Sequence, residues 1–188
     1  MRLFVALEVP AAVRENLAAV QKRFRARETG IRWVRPENFH VTLKFIGEVS
    51  KEKLDAISAE LRSVLANAPV EVCFRGLGFC WNAKGFGYSM ATIEASDSLC
   101  ALASQIDRCL ETLGIPGEDR TFLPHLTLAR CKHRGVPPDI RAMTDRYAGR
   151  DFGSLHAEEF HLIESKLGTA GPKYSTVASF PFVAATNA

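Results

Sequence analysis

The sequence predicts an α+β protein, with helices laid over mainly antiparallel sheet, and three features carry that prediction. Amphipathic runs of helical period alternate with short apolar runs of strand length along the chain. The order long helix, strand, helix, further strand occurs in the first half and returns in the second. A tetrapeptide marks the strand in both halves, His40-Val41-Thr42-Leu43 and His125-Leu126-Thr127-Leu128, the histidines lying 125 − 40 = 85 residues apart. A His-x-Thr-Leu turns up by chance in about one chain of this length in fifty, so two copies at matching points read as a duplication. The expectation is therefore a bilobal, duplicated fold over residues 1–188. It has two mainly antiparallel sheets, helices on the outside, and a central cleft into which both tetrapeptides face.

Taken in order, Leu3 to Val9 is short and apolar, as a buried strand is, and Pro10 suits the first turn of a helix, where its missing N–H costs nothing. Val13, Leu17, Val20 and Phe24 then recur at helical spacing to about Glu28, with Gly30 closing the element. Ile31 to Arg35 reads as strand, Pro36 to Asn38 as a turn, and Phe39 to Ile46 as the first tetrapeptide strand, ended by Gly47. Ser50 caps a helix whose apolar stripe is Leu54, Ile57, Leu61 and Leu65. Val70 to Cys80 and Tyr88 to Glu94 form a hairpin through the Gly- and Asn-containing stretch Trp81 to Gly87. Asp97 caps a second long helix with a stripe of Leu99, Leu102, Ile106, Leu110 and Leu113, closed by Gly114 and Pro116. Phe122 to Arg130 carries the second tetrapeptide. A helix over Pro138 to Tyr147 and strands over Glu159 to Lys166 and Ser175 to Val183 complete the chain.

Composition narrows the class of protein without naming a partner. Apolar residues at 47% and charged residues at 24% are ordinary for a globular domain, and a net charge of +3 permits an anionic partner without demanding one. Cys73, Cys80, Cys100, Cys109 and Cys131 are odd in number and form no C-x-x-C pair, which speaks against a disulfide framework or a zinc ribbon. Glu8 and Pro10 interrupt the N-terminus too early for a secretory leader, and no apolar run is long enough to span a bilayer. A soluble, cytoplasmic, monomeric protein is expected.

The tetrapeptides have the pattern of strands with two unlike faces. Strict alternation puts His40, Thr42 and Lys44 on one face and Val41, Leu43 and Phe45 on the other. The second copy sets His125 and Thr127 against Leu126 and Leu128. Apolar faces make core, so two strands each offer an imidazole and a hydroxyl to one shared site.

The stretches Trp33 to Gly47 (W-V-R-P-E-N-F-H-V-T-L-K-F-I-G), Pro124 to Arg130 (P-H-L-T-L-A-R) and Glu164 to Tyr174 (E-S-K-L-G-T-A-G-P-K-Y) resemble the two-histidine phosphoesterase superfamily. Within it, the nearest likeness is to the bacterial and archaeal RNA 2',3'-cyclic phosphodiesterases, historically called 2'-5' RNA ligases. The resemblance runs over essentially the whole chain. It implies a bilobal α+β fold, hydrolysis of a 2',3'-cyclic phosphate to a 2'-phosphate with no metal or other cofactor, and an RNA or oligonucleotide substrate ending in that group. It also sets Tyr174 near the substrate, where the alternative for a tyrosine in a C-terminal strand is core.

The chemistry explains the residues independently. Opening a cyclic phosphodiester needs a base for the attacking water, an acid on the oxygen that leaves opposite, and donors for the phosphoryl oxygens. His40 and His125 can divide the first two tasks, because an imidazole exists in both protonation states near neutrality. Thr42 and Thr127 can donate to the non-bridging oxygens, although β-propensity alone explains a strand threonine. Arg130 can hold an oxygen by a charge-assisted bond, but strict alternation puts it opposite His125, so this role needs the strand to end or twist there. The expected division makes His125 the base, kept neutral by nearby Arg130, and His40 the acid, with a weaker push from Lys44 on its own face.

Other candidates carry plainer readings. His133, His156 and His161 lack such context and read as surface or structural, the last two being five apart on opposite faces of one strand. Lys22, Arg23, Arg25, Arg27, Arg32 and Arg35 can face RNA phosphates or form a solvated surface. Phe39, Phe122 and Trp33 can stack on a base, with core packing as the plainer fate. An RNA- or nucleotide-binding module on the same fold is the competing class, and a phosphodiesterase for small nucleotides such as ADP-ribose cyclic phosphate the competing substrate.

Overall fold

Each strand pairing among the described residues is antiparallel, and the strands divide into two sheets. The computed structural model describes residues 1–25, 31–65, 69–81, 85–131, 136–169 and 171–182. Its elements are β1 (Arg2–Glu8), α1 (Ala11–Phe24), β2 (Ile31–Trp33), β3 (His40–Glu48), α2 (Leu54–Arg62), β4 (Val70–Trp81) and β5 (Gly87–Glu94). They continue with α3 (Asp97–Glu111), β6 (His125–Cys131), α4 (Pro138–Arg146), β7 (Asp151–Ala157), β8 (Glu159–Gly168) and β9 (Gly171–Pro181). The first sheet runs β3-β1-β8-β9 and the second β2-β6-β5-β4-β7, so the expected α+β class with two antiparallel sheets is what the chain forms.

The two halves do not each build a lobe of their own. β2 joins the second sheet against β6, while β8 and β9 complete the first sheet beside β1. The long helices also reach the other sheet. α1 follows β1 of the first sheet yet packs on β7 of the second, and α3 follows β5 of the second sheet and packs on both β3 of the first and β4 of the second. Sequence periodicity marks the buried stripe of a helix but not the sheet that receives it. Val13, Leu17, Val20 and Phe24 on α1 and Leu99, Leu102, Ile106 and Leu110 on α3 are all buried, each large side chain contributing roughly 2 kcal/mol of transfer free energy.

Register shows how the two tetrapeptide strands are matched. β1 sets Ala6 opposite Thr42 and Glu8 opposite His40, while β5 sets Met90 opposite Thr127 and Thr92 opposite His125. One step further along, both pairs slip by a residue, between Val5 and Ala6 in one and between Ser89 and Met90 in the other. The extra residue of each bulge makes two consecutive side chains point to the same face, and alternation resumes inverted. Lys44 therefore turns to the core side and is 2% exposed, while Phe45 comes out on the histidine face at 58%. Ala129 turns inward in the same way, and Arg130 emerges on the face of His125. Strict alternation misplaces Lys44 and Phe45, and the twist that Arg130 needs is supplied by the bulge.

Several local expectations are corrected. The cap of α3 is Ser96, whose Oγ accepts the Leu99 N–H at 3.3 Å, and Asp97 is the first helical residue. Ser50 precedes a single 3-10 turn, Lys51–Lys53, so α2 starts later without a side-chain cap and ends at Arg62. Leu65 thus falls outside the helix and is 70% exposed. β7 is not legible in the sequence, because its Gly and polar residues hide the strand period, and it places His156 on a different strand from His161. Gly30, Arg27 and His133 lie outside the described residues. All five cysteines are free thiols, and among the described residues no helix is long and apolar enough to cross a membrane.

Candidate active site

The tetrapeptide strands β3 and β6 belong to different sheets and pack against one another, which sets one histidine on each side of the groove between them. His40 packs in a triangle with two rings, Phe4 4.8 Å and Tyr174 5.3 Å from it between centroids. Its Nδ1 lies 2.7 Å from the carbonyl oxygen of Asn38, two residues back, and the Nδ1 of His125 lies 2.9 Å from the carbonyl oxygen of Leu123, again two residues back. A carbonyl oxygen can only accept, so Nδ1 carries the hydrogen in both rings. Each neutral imidazole is left with an unprotonated Nε2. The same local bond arises at both sites because each strand begins at its histidine.

Electrostatics separates the two rings. Burial pushes the pKa of His40 from 6.5 down to about 4, the Asn38 hydrogen bond working against this and the charges of Arg130 and His125 adding to it. Arg130 thus acts across the groove on His40, whereas Lys44 does not face the site. Lys44 instead bonds Asp107 of α3 and donates to the Pro116 carbonyl at 2.6 Å. The expected push of Lys44 on His40 is corrected accordingly. Burial also raises the pKa of Tyr174, against the lowering charges of Arg130 and Arg2, so its hydroxyl keeps its proton near neutrality. The Arg130 guanidinium sits 5.4 Å from the ring centre of Tyr88, its cross-strand partner on β5.

Comparison with known proteins places this arrangement. The family model of LigT like phosphoesterases matches residues 7–83 and 92–174, which takes in both tetrapeptides and Tyr174. The chain belongs to the LigT-like phosphoesterases. A protein of Archaeoglobus fulgidus named RNA 2',3'-cyclic phosphodiesterase is 32% identical to it, the match covering 96% of this chain and 99% of the relative. One of the same name from Methanocaldococcus jannaschii is 33% identical over 94% and 98% of the two chains. The crystal structure of TT0787 of Thermus thermophilus superposes with a TM-score of 0.78 at 33% identity, over 97% of this chain and 98% of that one. Escherichia coli LigT complexed with 3'-AMP superposes at 0.77 and 26% identity, over 96% and 97%.

In this LigT-like phosphoesterase the residues singled out from sequence fall into two groups. His40, Thr42, His125, Thr127, Arg130 and Tyr174 share the inner faces of the two sheets around the groove. Most of the remaining candidates go elsewhere. Phe39 is buried, and Trp33 and Phe122 pack against the main core. His161 is buried with its Nδ1 2.9 Å from Ser179 Oγ, His156 is exposed beside Glu71, and Arg35 is paired with Glu37 at 3.8 Å. Arg23 reaches the Tyr147 hydroxyl on the outer side, between α1 and the end of α4. Sequence reasoning missed Phe45, Phe4 and Tyr88 on the site face. No local signal distinguishes them, because the bulge after each motif, at Leu43-Lys44 and at Leu128-Ala129, shows only against a partner strand.

Proposed function

We propose that this LigT-like phosphoesterase hydrolyses 2',3'-cyclic phosphate ends of RNA to 2'-phosphates by two-histidine acid-base catalysis. The observation that carries the reading is the pair of imidazoles, each with Nδ1 tied to a carbonyl and Nε2 left for substrate, presented from opposite sheets. In-line displacement at phosphorus needs one proton acceptor and one proton donor on opposite sides, and this arrangement supplies one ring to each. The names of the relatives, RNA 2',3'-cyclic phosphodiesterase, support the substrate.

His125 is the base that takes the proton of water, and His40 is the acid that protonates the departing 3' oxygen. A ring with a pKa of about 4 is cationic in roughly one molecule per thousand at pH 7, a deficit of about 4 kcal/mol. An anion about 4 Å away returns about 4 kcal/mol at an effective dielectric constant near 20. The cyclic phosphate itself therefore charges His40, and the acid is armed when substrate binds. Thr42, Thr127 and Arg130 donate to the phosphoryl oxygens, and protonated Tyr174 borders His40. With a 5'-hydroxyl in place of water the same steps give 2'-5' ligation: the 5' oxygen attacks phosphorus as His125 takes its proton, and the 3' oxygen leaves with a proton from His40.

Two imidazoles and an arginine supply the charge a metal would otherwise bring, so the reaction is proposed to need none. Residues 1–188 form one domain of two pseudo-symmetric lobes, a reading supported by the matched registers of β3 and β6. We further propose that the protein is a cytoplasmic monomer. Turnover of a nucleoside 2',3'-cyclic phosphate in excess EDTA tests the central claim, with a 2'-phosphate as the expected product. Loss of turnover restored by Mg²⁺ or Mn²⁺ would defeat the metal-free mechanism, and absence of turnover under any condition the whole reading.

A further inference from the structure

Beyond the two histidines, the inner face of the second sheet carries a cationic row that the reaction at phosphorus does not use in full. β2 pairs with β6 so that Arg32 lies directly opposite Arg130. The flanking pairs are Ile31 with Cys131 and Trp33 with Ala129. Cys131 and Ala129 are buried, and Ile31 and Trp33 pack against the main core, so the side chains between them emerge on the other face. Arg32 is exposed there beside Arg130. Tyr88 flanks Arg130 on its other side.

Two arginines directly opposite on one face repel, and sheets ordinarily avoid or neutralise such a pair. Among the described residues neither guanidinium forms an ion pair with a carboxylate, in contrast to Arg35, which is paired with Glu37, and Arg75, which is paired with Glu94. An unneutralised like-charge pair at the edge of a substrate groove is what a site for consecutive phosphates requires. β2 is only three residues long and forms the edge of the sheet, so Arg32 stands at the rim of the groove. An RNA end with a cyclic phosphate can leave the groove by one route, through the 5' oxygen of its terminal nucleotide.

We propose that Arg32 binds the phosphate that precedes the terminal nucleotide, so that the enzyme acts on RNA ends in preference to mononucleotides. The inference rests on the phosphodiesterase reading and adds its substrate length. Arg130 holds the reacting phosphate and Arg32 the next one along the chain, each by charge-assisted hydrogen bonds. Arg32 takes no part at the reacting phosphorus.

The test compares kcat/KM for a mononucleoside 2',3'-cyclic phosphate with that for a dinucleotide carrying the same cyclic end and one internal phosphodiester. A third substrate replaces the internal linkage by a neutral methylphosphonate. The dinucleotide is expected to exceed the mononucleotide by about tenfold, as one charge-assisted contact allows, and the methylphosphonate to fall back to the mononucleotide value. In Arg32→Gln the ratio between the first two substrates should collapse toward one, and in Arg32→Lys most of it should remain. The salt dependence of log kcat/KM for the dinucleotide should become shallower by about 0.7 in Arg32→Gln, the loss of one single-strand phosphate contact. Equal values for mono- and dinucleotide in the unmodified enzyme would overturn the proposal. So would a methylphosphonate as good as the phosphodiester, which needs no variant to fold, or a ratio indifferent to Arg32→Gln. Failure to turn over any of the three substrates would instead remove the phosphodiesterase reading and this inference with it.

Discussion

His40 and His125 have the same local hydrogen bond but different surroundings, and their substitutions should separate accordingly. His40→Ala and His125→Ala are each expected to lower turnover at least a hundredfold, and the double variant to lose far less than the product of the two. A substrate with an acidic leaving oxygen, such as a nitrophenyl ester, needs no general acid, so it should rescue His40→Ala much more than His125→Ala. The reverse pattern would exchange the two roles. Burial of His40 also makes a prediction about stability. Its pKa is about 4 when folded and 6.5 in the free side chain, so between those values the unfolded chain takes up a proton that the folded chain refuses. Stability is therefore fully retained above about pH 6.5 and falls as pH drops toward 4, by about 3 kcal/mol from this residue. Urea unfolding at pH 7 and pH 4.5 should show a smaller loss in His40→Gln than in the parent. Equal losses would mean that His40 is not held neutral by its surroundings.

At the scale of elements, the bulge in β3 converts a motif lysine into a structural one. Lys44 is nearly inaccessible and ties the strand of His40 to α3 through Asp107 and to the Pro116 carbonyl in the segment leading to His125. Asp107 extends the same tie by accepting the Glu118 N–H at 3.1 Å. Lys44 is buried and Asp107 half-buried, so removing the lysine leaves a partly desolvated carboxylate without its cation, which is worse than removing both. Lys44→Met should lower stability by about 2 to 3 kcal/mol, and Lys44→Met with Asp107→Leu should recover part of it, as read from denaturant midpoints. A single variant as stable as the parent would show that the pair is idle. The position cannot be recognised from sequence, because a lysine in register with His40 and Thr42 looks like a site residue until the bulge moves it.

For the whole molecule, the exchange of helices and strands between the sheets decides how the chain unfolds. α1 and β2 carry first-half sequence into the second sheet, and β8 and β9 return the C-terminal part to the first. Neither sheet can be removed without taking core from the other. Thermal or denaturant unfolding should therefore be one cooperative transition, with coincident fluorescence and far-UV dichroism curves. Two resolved transitions would contradict the single-domain reading.

What the sequence determined by itself are the properties that follow from local pattern. The helical stripes of α1 and α3, the antiparallel α+β class, the pair of His-x-Thr-Leu strands and the family resemblance are all written in residues close together in the chain. Periodicity within an element depends on backbone geometry alone, so it survives without knowledge of partners. Tertiary structure decided what depends on a neighbour. Which sheet each helix covers, the two bulges that bring Arg130 and Phe45 to the histidine face and send Lys44 to the core, and the pairing of Arg32 with Arg130 are properties of register between strands distant in sequence. The low pKa of His40 has the same origin, since Phe4 and Tyr174 that bury it come from β1 and β9 and the charge of Arg130 from β6. Desolvation and Coulomb forces act through space, and only the folded chain brings their sources together.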